Sequence, residues 1–316
     1  MTAYVARRLL LIIPTLFIAS LIIFALIRFI PGDIVDQMAS QHIFFSEMDR
    51  AQLEHELGLD LPIHVQYGHW IEGIFRGDFG VSLWAKTPVS RELGQRLPVT
   101  IELGLLAITV GLVIALPIGM YSAIRQDTLG DYVGRSFAIL CISIPGFWLG
   151  TLIIVFPSIW WGWSPPTQYV SFPESPMTNL KMFIFPAIVL GLALSGVTMR
   201  MTRTMMLEVL RQDYIRTAWA KGLKERVVIT RHALKNALIP VVTIVGLQLP
   251  ILVGGSVIIE QIFSLPGIGR LMLDALVQRD YPIVTGVMFT IAIFVLLVNL
   301  VVDLSYGFLD PRVKYR

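Results

Sequence analysis

Val99 to Ile124 reads VTIELGLLAITVGLVIALPIGMYSAI, 26 residues whose one charged side chain is Glu102. A run of about 18 to 20 apolar residues crosses a hydrocarbon layer ~30 Å thick as a helix, so this stretch reads as a membrane span with length to spare for tilt. Outward from it the pattern recurs. Leu9 to Ile27 precedes it, and Val133 to about Ile159, Phe183 to Met199, Leu238 to Ile259 and Ile283 to about Tyr306 follow. The run at Phe183 is short, and Pro186 stands at its start. With 55% hydrophobic and 15% charged residues in 316, the chain carries more apolar surface than one soluble core buries, and it gathers that surface into runs. The expected fold is an all-α integral membrane protein of six transmembrane helices.

Lys and Arg near span ends give the orientation, because short basic loops stay in the cytoplasm. Arg7 and Arg8, Arg125 and Arg135, and Arg312, Lys314 and Arg316 fall on one side. The loop between spans four and five joins them, with Arg203, Arg211, Arg216, Lys221, Lys224, Arg226, Arg231 and Lys235 against Glu208, Asp213 and Glu225. Both termini are then cytoplasmic, and the formal charge of +3 reports topology rather than nucleic-acid binding. The first run is too long for a signal peptide and no small-x-small cleavage site follows it, so it reads as an uncleaved span.

The opposite side receives Pro31 to Leu97, where acids outnumber bases. Ser46 with Asp49 has the form of a capping box and Gly58 that of a helix stop, which predicts a short helix from Glu47 to Leu57. A second helix is expected from Ile63 to Phe75, and the two are expected to pack on the membrane surface as a small lid, with Trp70, Ile71, Ile74 and Phe75 as the apolar face. The domain reading is an N-terminal span in 1–30, an extracytoplasmic helical insertion in 31–97, and a core of five spans in 98–316 that includes a cytoplasmic loop at 200–237.

Enzymatic signatures do not appear. No Gly-x4-Gly-Lys-Ser/Thr phosphate loop occurs, and Gly267-Ile268-Gly269 lacks the third glycine and strand-to-helix setting of a dinucleotide site. His42, His55, His64, His69 and His232 have no metal-ligand spacing, and no Gly-x-Ser-x-Gly nucleophile turn is present. Cys141, the single cysteine, lies inside an apolar run and forms no internal disulfide. The expectation is a chain with no catalytic residue, metal or cofactor of its own.

Glu102, Glu260 and Asp303 are the charges nearest membrane depth. Near span ends, each is expected to snorkel to the interface or to cap a neighbouring helix. A proton-coupled carrier would need such groups near mid-membrane, which counts against that alternative. Pro117, Pro145, Gly146 and Gly150 either let helices approach or break them beside a cavity. Span five is different, since Gln248, Pro250, Gly254, Gly255 and Ser256 cluster in its middle; a polar, breakable helix interior suits a water-lined solute pathway, and close packing is the rival reading.

The loop between spans four and five carries a short helix: Asp213 can cap it, and Gly222, just before Leu223, can end it. A further helix starts near Lys224 and runs through Arg231, His232, Lys235 and Asn236 toward Pro240. The result is a compact exposed knob between two helical arms, of a kind a soluble partner could grip.

From end to end the sequence resembles the permease subunits of bacterial ATP-binding-cassette importers of the peptide/nickel type. The matching segments are Arg7-Arg8-Leu9-Leu10 with Pro14-Thr15-Leu16, Pro31-Gly32-Asp33, Leu57-Gly58-Leu59-Asp60-Leu61-Pro62 with Gln66-Tyr67, and Gly77-Asp78-Phe79-Gly80. Further along come Pro98-Val99-Thr100-Ile101-Glu102-Leu103, Met199-Arg200-Met201-Thr202-Arg203, Asp213 to Leu223, His232 to Ala237, Glu260 to Arg270, and Arg279-Asp280-Tyr281-Pro282. There are three departures. Arg216, followed by Thr217 and Ala218, stands where the general permease pattern has the acid of Glu-Ala-Ala; the closing proline, Pro240, is displaced beyond Gly222; and Ile34 follows Gly32-Asp33 where proline is frequent.

The resemblance implies a location in the bacterial cytoplasmic (inner) membrane and passage of di- or oligopeptides by alternating access. A nickel chelate, a glutathione-like compound or a sugar compound is the alternative solute. It implies a homologous second permease, two cytoplasmic ATPase subunits that bind ATP and Mg, and an extracytoplasmic solute-binding protein as partners. It also makes Asp213, Tyr214, Arg216, Thr217, Ala218, Lys221, Gly222 and Leu223 the coupling helix that docks on an ATPase. A stand-alone secondary carrier and a membrane scaffold protein are the readings of other classes.

Overall fold

The computed structural model describes residues 2–28, 55, 60–166 and 168–309. Its helices are α1 (Thr2–Arg28), α2 (Ile63–Phe75), α3 (Val89–Ile124), α4 (Leu129–Ser143), α5 (Gly146–Trp161), α6 (Pro176–Leu210), α7 (Asp213–Ala220), α8 (Glu225–Val227), α9 (Leu234–Ile262), α10 (Ile268–Gln278) and α11 (Tyr281–Leu309). A π-helical turn, Val228–Ala233, joins α8 to α9. Five helices are long and apolar enough to cross a membrane among the described residues, or six when the bent pair of α4 with α5 is counted as one span. The helix expected over 47–57 lies, apart from residue 55, outside the described residues, as do the bases at 312, 314 and 316.

Three span readings need correction. The third is not one helix, because α4 and α5 meet at a bend of 92°. Pro145 has no N–H to donate and disfavours helical backbone in the residue before it, so Ile144 is extended at ψ 119 and the chain turns there. The fourth does not start at Pro186: α6 begins with Pro176 in its first turn, where the missing N–H costs nothing, and Pro186 is buried inside it. The helix after Lys224 does not stop near Pro240, since α9 runs through both Pro240 and Pro250.

The chain divides into two compact units. In the first, Val99–Gly269 with Met1–Val5 and Leu297–Arg316, α6 is the central helix: 15 of its 35 residues are buried, whereas Gly150 alone is buried in α5. Small residues let backbones close in. A Cβ at Gly191 would stand 2.8 Å from the Ala107 carbonyl of α3, and one at Gly196 would stand 2.7 Å from the Ala138 carbonyl of α4. Phe183, Met182 and Leu190 of α6 pack with Val99 and Leu103 of α3 and Ile259 of α9 in the largest core of this unit.

The second unit, Ala6–Pro98 with Arg270–Leu296, holds α1 and α2. The Ser20 and Tyr67 hydroxyls lie 2.9 Å apart, Phe24 meets the rings of Tyr67 and Trp70, and Trp70 stands edge-on to Phe289. The 77–88 connection is tied down by Asp280, which accepts from the Ser82 hydroxyl at 2.5 Å and the Leu83 N–H at 3.2 Å, and by Trp84 Nε1, which donates to the Gln278 carbonyl at 2.7 Å. The expected apolar face of α2 is therefore altered: Tyr67 joins Trp70 in it, while Phe75, at the helix end, is 85% exposed.

Candidate functional site

α6 ends at Leu210 and turns through Arg211 and Gln212 into α7. The Gln212 carbonyl accepts the N–H groups of Ile215 at 3.0 Å and Arg216 at 3.3 Å, so Gln212 holds the cap position. Asp213 is the first helical residue instead of the cap; its carboxylate contacts Arg216 at 3.3 Å, and both lie in solvent, where such pairs contribute little. The other end is a Schellman closure, with Gly222 N donating to the Trp219 carbonyl at 2.9 Å and Leu223 N to the Ala218 carbonyl at 3.4 Å. Gly222 sits at φ +74, the left-handed backbone that glycine adopts without penalty.

α7 has two faces. Ile215 and Ala218 are buried in a cluster with Ala123 of α3, Met206 of α6, Val228, Ile229 and Ala233 of the π turn and Ala237 of α9. Asn236 donates to the Tyr214 hydroxyl at 2.7 Å and pins the helix to the second arm. Asp213, Tyr214, Arg216, Thr217, Lys221, Gly222 and Leu223 are exposed. Ala218 belongs to the chain's own packing. Trp219, 44% exposed, is the large outer side chain that the sequence reading missed, and it directly follows the buried Ala218.

The five polar or small residues of α9 do not share one surface. The Gln248 amide lies 3.4 Å from both the Thr198 hydroxyl and the Ile244 carbonyl. Ser256 is buried and donates to the Val253 carbonyl at 2.9 Å. Gly254 and Gly255 are exposed, and nothing stands within 4 Å of where a Cβ of Gly254 would be. The helix is unbroken at Pro250.

Glu260 does not snorkel. It is wholly buried at the end of α9, and its carboxylate accepts from Thr100 Oγ1 at 2.7 Å, which in turn accepts the Ile268 N–H at 2.9 Å. The carboxylate lies against Gly267 and Gly269, in the space that a Cβ at Gly267 would occupy. It thereby faces the N-terminus of α10, where backbone N–H groups favour negative charge, which is the capping role. Glu102 is half-buried, 3.4 Å from the Asn179 amide, and Asp303 is half-buried.

A second enclosed carboxylate, Asp131, was not singled out from sequence. Its oxygens accept Nε of Arg203 at 2.8 Å and Nη2 at 2.7 Å, the Asp127 N–H at 3.1 Å, and the Ser122 hydroxyl. Among the described residues no three His, Cys, Asp or Glu side chains converge as a metal site requires.

Comparison with known proteins adds to this geometry. The family model described as "Binding-protein-dependent transport system inner membrane component" matches residues 115–315, and its companion for the N-terminal part matches residues 1–104. The dipeptide transport system permease protein DppB of Escherichia coli K12 is 40% identical over 339 residues, with the whole of both chains covered. The oligopeptide transport system permease protein AppB of Bacillus subtilis is 40% identical over 319 residues, again over the whole of both. Among solved structures, the MetNI methionine ABC transporter in an inward-facing form overlays with a TM-score of 0.55 at 18% identity, covering 69% of this chain and 96% of the other; at that identity the likeness concerns the fold.

Proposed function

The chain belongs to the family of binding-protein-dependent transport system inner membrane components, and we propose that it forms half of the translocation pathway of an ATP-driven importer of di- or oligopeptides. In this reading it works beside a homologous permease, with two ATPase subunits that bind ATP and Mg and a binding protein outside that delivers the solute. Both termini face the cytoplasm, and the chain performs no chemistry. Full-length relatedness to dipeptide and oligopeptide permeases supports the peptide solute.

The observation that carries the reading is α7. Its inner face is fixed by Ile215 and Ala218, while Tyr214, Trp219 and Leu223 are apolar groups left open beside the cations Arg216 and Lys221. A rigid, exposed knob of aromatic and basic side chains is the surface by which a permease is gripped, and buried aromatic anchors dominate such interfaces. ATP binding draws the ATPases together, moves α7 and shifts the permease population toward its outward-open state. The middle of α9 lines the pathway through its exposed Gly254 and Gly255, and Gln248, Pro250 and Ser256 belong to the same stretch of the helix.

Affinity purification of the chain from membranes tests this. An ATP-hydrolysing subunit co-purifies with the native chain, and Trp219→Glu releases it while the permease pair stays folded. Retention of the ATPase by Trp219→Glu together with Tyr214→Glu would remove α7 from the interface.

A further inference from the structure

The pair Asp131 and Arg203 sits where the docking helix meets the rest of its unit. Asp131 lies in the first turn of α4, Ser122 in the last turn of α3, and Arg203 two turns before the end of α6, so one carboxylate gathers three helices. From Arg203 the helix α6 runs without interruption to Leu210 and turns into α7.

Two apolar layers flank this node. The one beneath α7 contains Ala123 of α3 and Met206 of α6 with Ile215 and Ala218. The next contains Ala115 of α3, Met199 of α6, and Ala138 and Cys141 of α4. α3 and α6 take part in both layers, whereas α4 supplies no side chain to the layer beneath α7. At the docking end, α4 is held to α6 by the Asp131 carboxylate. A planar guanidinium bound through Nε and Nη2 fixes both the separation and the angle of the two helices, which a point charge does not. Beyond α4 the chain bends by 92° into α5.

We propose that Asp131 and Arg203 form a positioning joint that makes α4 follow α6 and α7 as one body, and so carries the displacement of the docking helix into α4. The joint rests on the reading of α7 as the ATPase-docking helix and deepens it by naming the path of the motion.

Spin labels at Leu140→Cys on α4 and Gln212→Cys at the exposed cap of α7, in a Cys141→Ser background, read the joint in the whole complex. In the complex with Asp131 and Arg203 intact, their separation stays the same with and without ATP and vanadate. In Asp131→Asn and in Arg203→Lys, complexes that keep the ATPase and hydrolyse ATP show a shift of about 2 Å or more on trapping, the size of an ordinary helix displacement. A purely stabilising pair would lower heat resistance and leave the separation fixed, and that result overturns the proposal. So does a change of separation in the complex with both residues intact. Should Asp131→Asn and Arg203→Lys both fail to assemble, the apolar pair Asp131→Leu with Arg203→Leu is measured in the same way; its failure as well would make the pair a folding element, not a joint. Loss of the ATPase on purification of the intact chain is a separate result that removes the docking reading and the joint with it.

Discussion

Asp131 and Glu260 are both enclosed carboxylates of Val99–Gly269, and they are satisfied by opposite means. Asp131 has a cation, and its bonds tie α4 to α6 near α7. Glu260 has a hydroxyl and a helix N-terminus, and its bonds hold the turn between α9 and α10. The difference teaches what each end requires. Both sites reach far along the chain, the pair joining residues 72 positions apart and Thr100 standing 160 positions from Glu260, but the charge pair fixes the separation of two helices, whereas the hydroxyl and the helix N-terminus shape the turn between α9 and α10. Removing a partner should therefore be most damaging at Asp131, where an enclosed charge is left bare, and less so at Glu260, where the donor set is shared.

The largest effect is expected for Arg203→Ala, a loss of about 3 kcal/mol, the low end for breaking an enclosed ion pair because the site lies in the first turn of α4. Heat unfolding of the purified complex followed by tryptophan fluorescence reads it. Thr100→Val, which keeps shape and deletes the hydroxyl that serves both Glu260 and the Ile268 N–H, should cost about 2 kcal/mol, with Thr100→Ser restoring most of it. If Thr100→Val proved the more damaging of the two, the contrast between charge pair and cap would be wrong.

Much of the fold was legible because a bilayer demands long apolar runs, and these are visible whatever the helices do next. What prolines do was not. Pro186, Pro240 and Pro250 sit inside continuous helices, while Pro145 ends one, and the distinction depends on the extended backbone of Ile144, which no local pattern reports. The stop at Gly222 was legible because a left-handed position selects glycine. The roles of Ile215 and Trp219 follow from which face of α7 meets the arms. The Asp131–Arg203 pair was out of reach, since both residues look like ordinary charges flanking spans and only packing brings them together. Glu260 was half read: a cap was one of two expectations, and its burial decides for the cap.

The smallest effect lies at α7, which belongs to neither carboxylate and so sharpens the contrast from outside. Gly222→Val places a β-branched residue at φ +74 while nothing stands within 4 Å of its Cβ, so the cost is backbone strain alone, about 1 to 2 kcal/mol. Gly222→Asn should lose less than half of that, because asparagine tolerates the left-handed region. Neither change touches the node or the Glu260 turn, so both should leave most of the complex as heat-stable as before while exposing the α7 backbone. Hydrogen exchange at Lys221, Gly222 and Leu223 is the sensitive readout: faster exchange in Gly222→Val confined to α7 and its closing turn is the expected result. Exchange that spread through α6 to Arg203 would mean that α7 and the ion pair melt as one unit, and the strain would no longer be confined to the closing turn of α7.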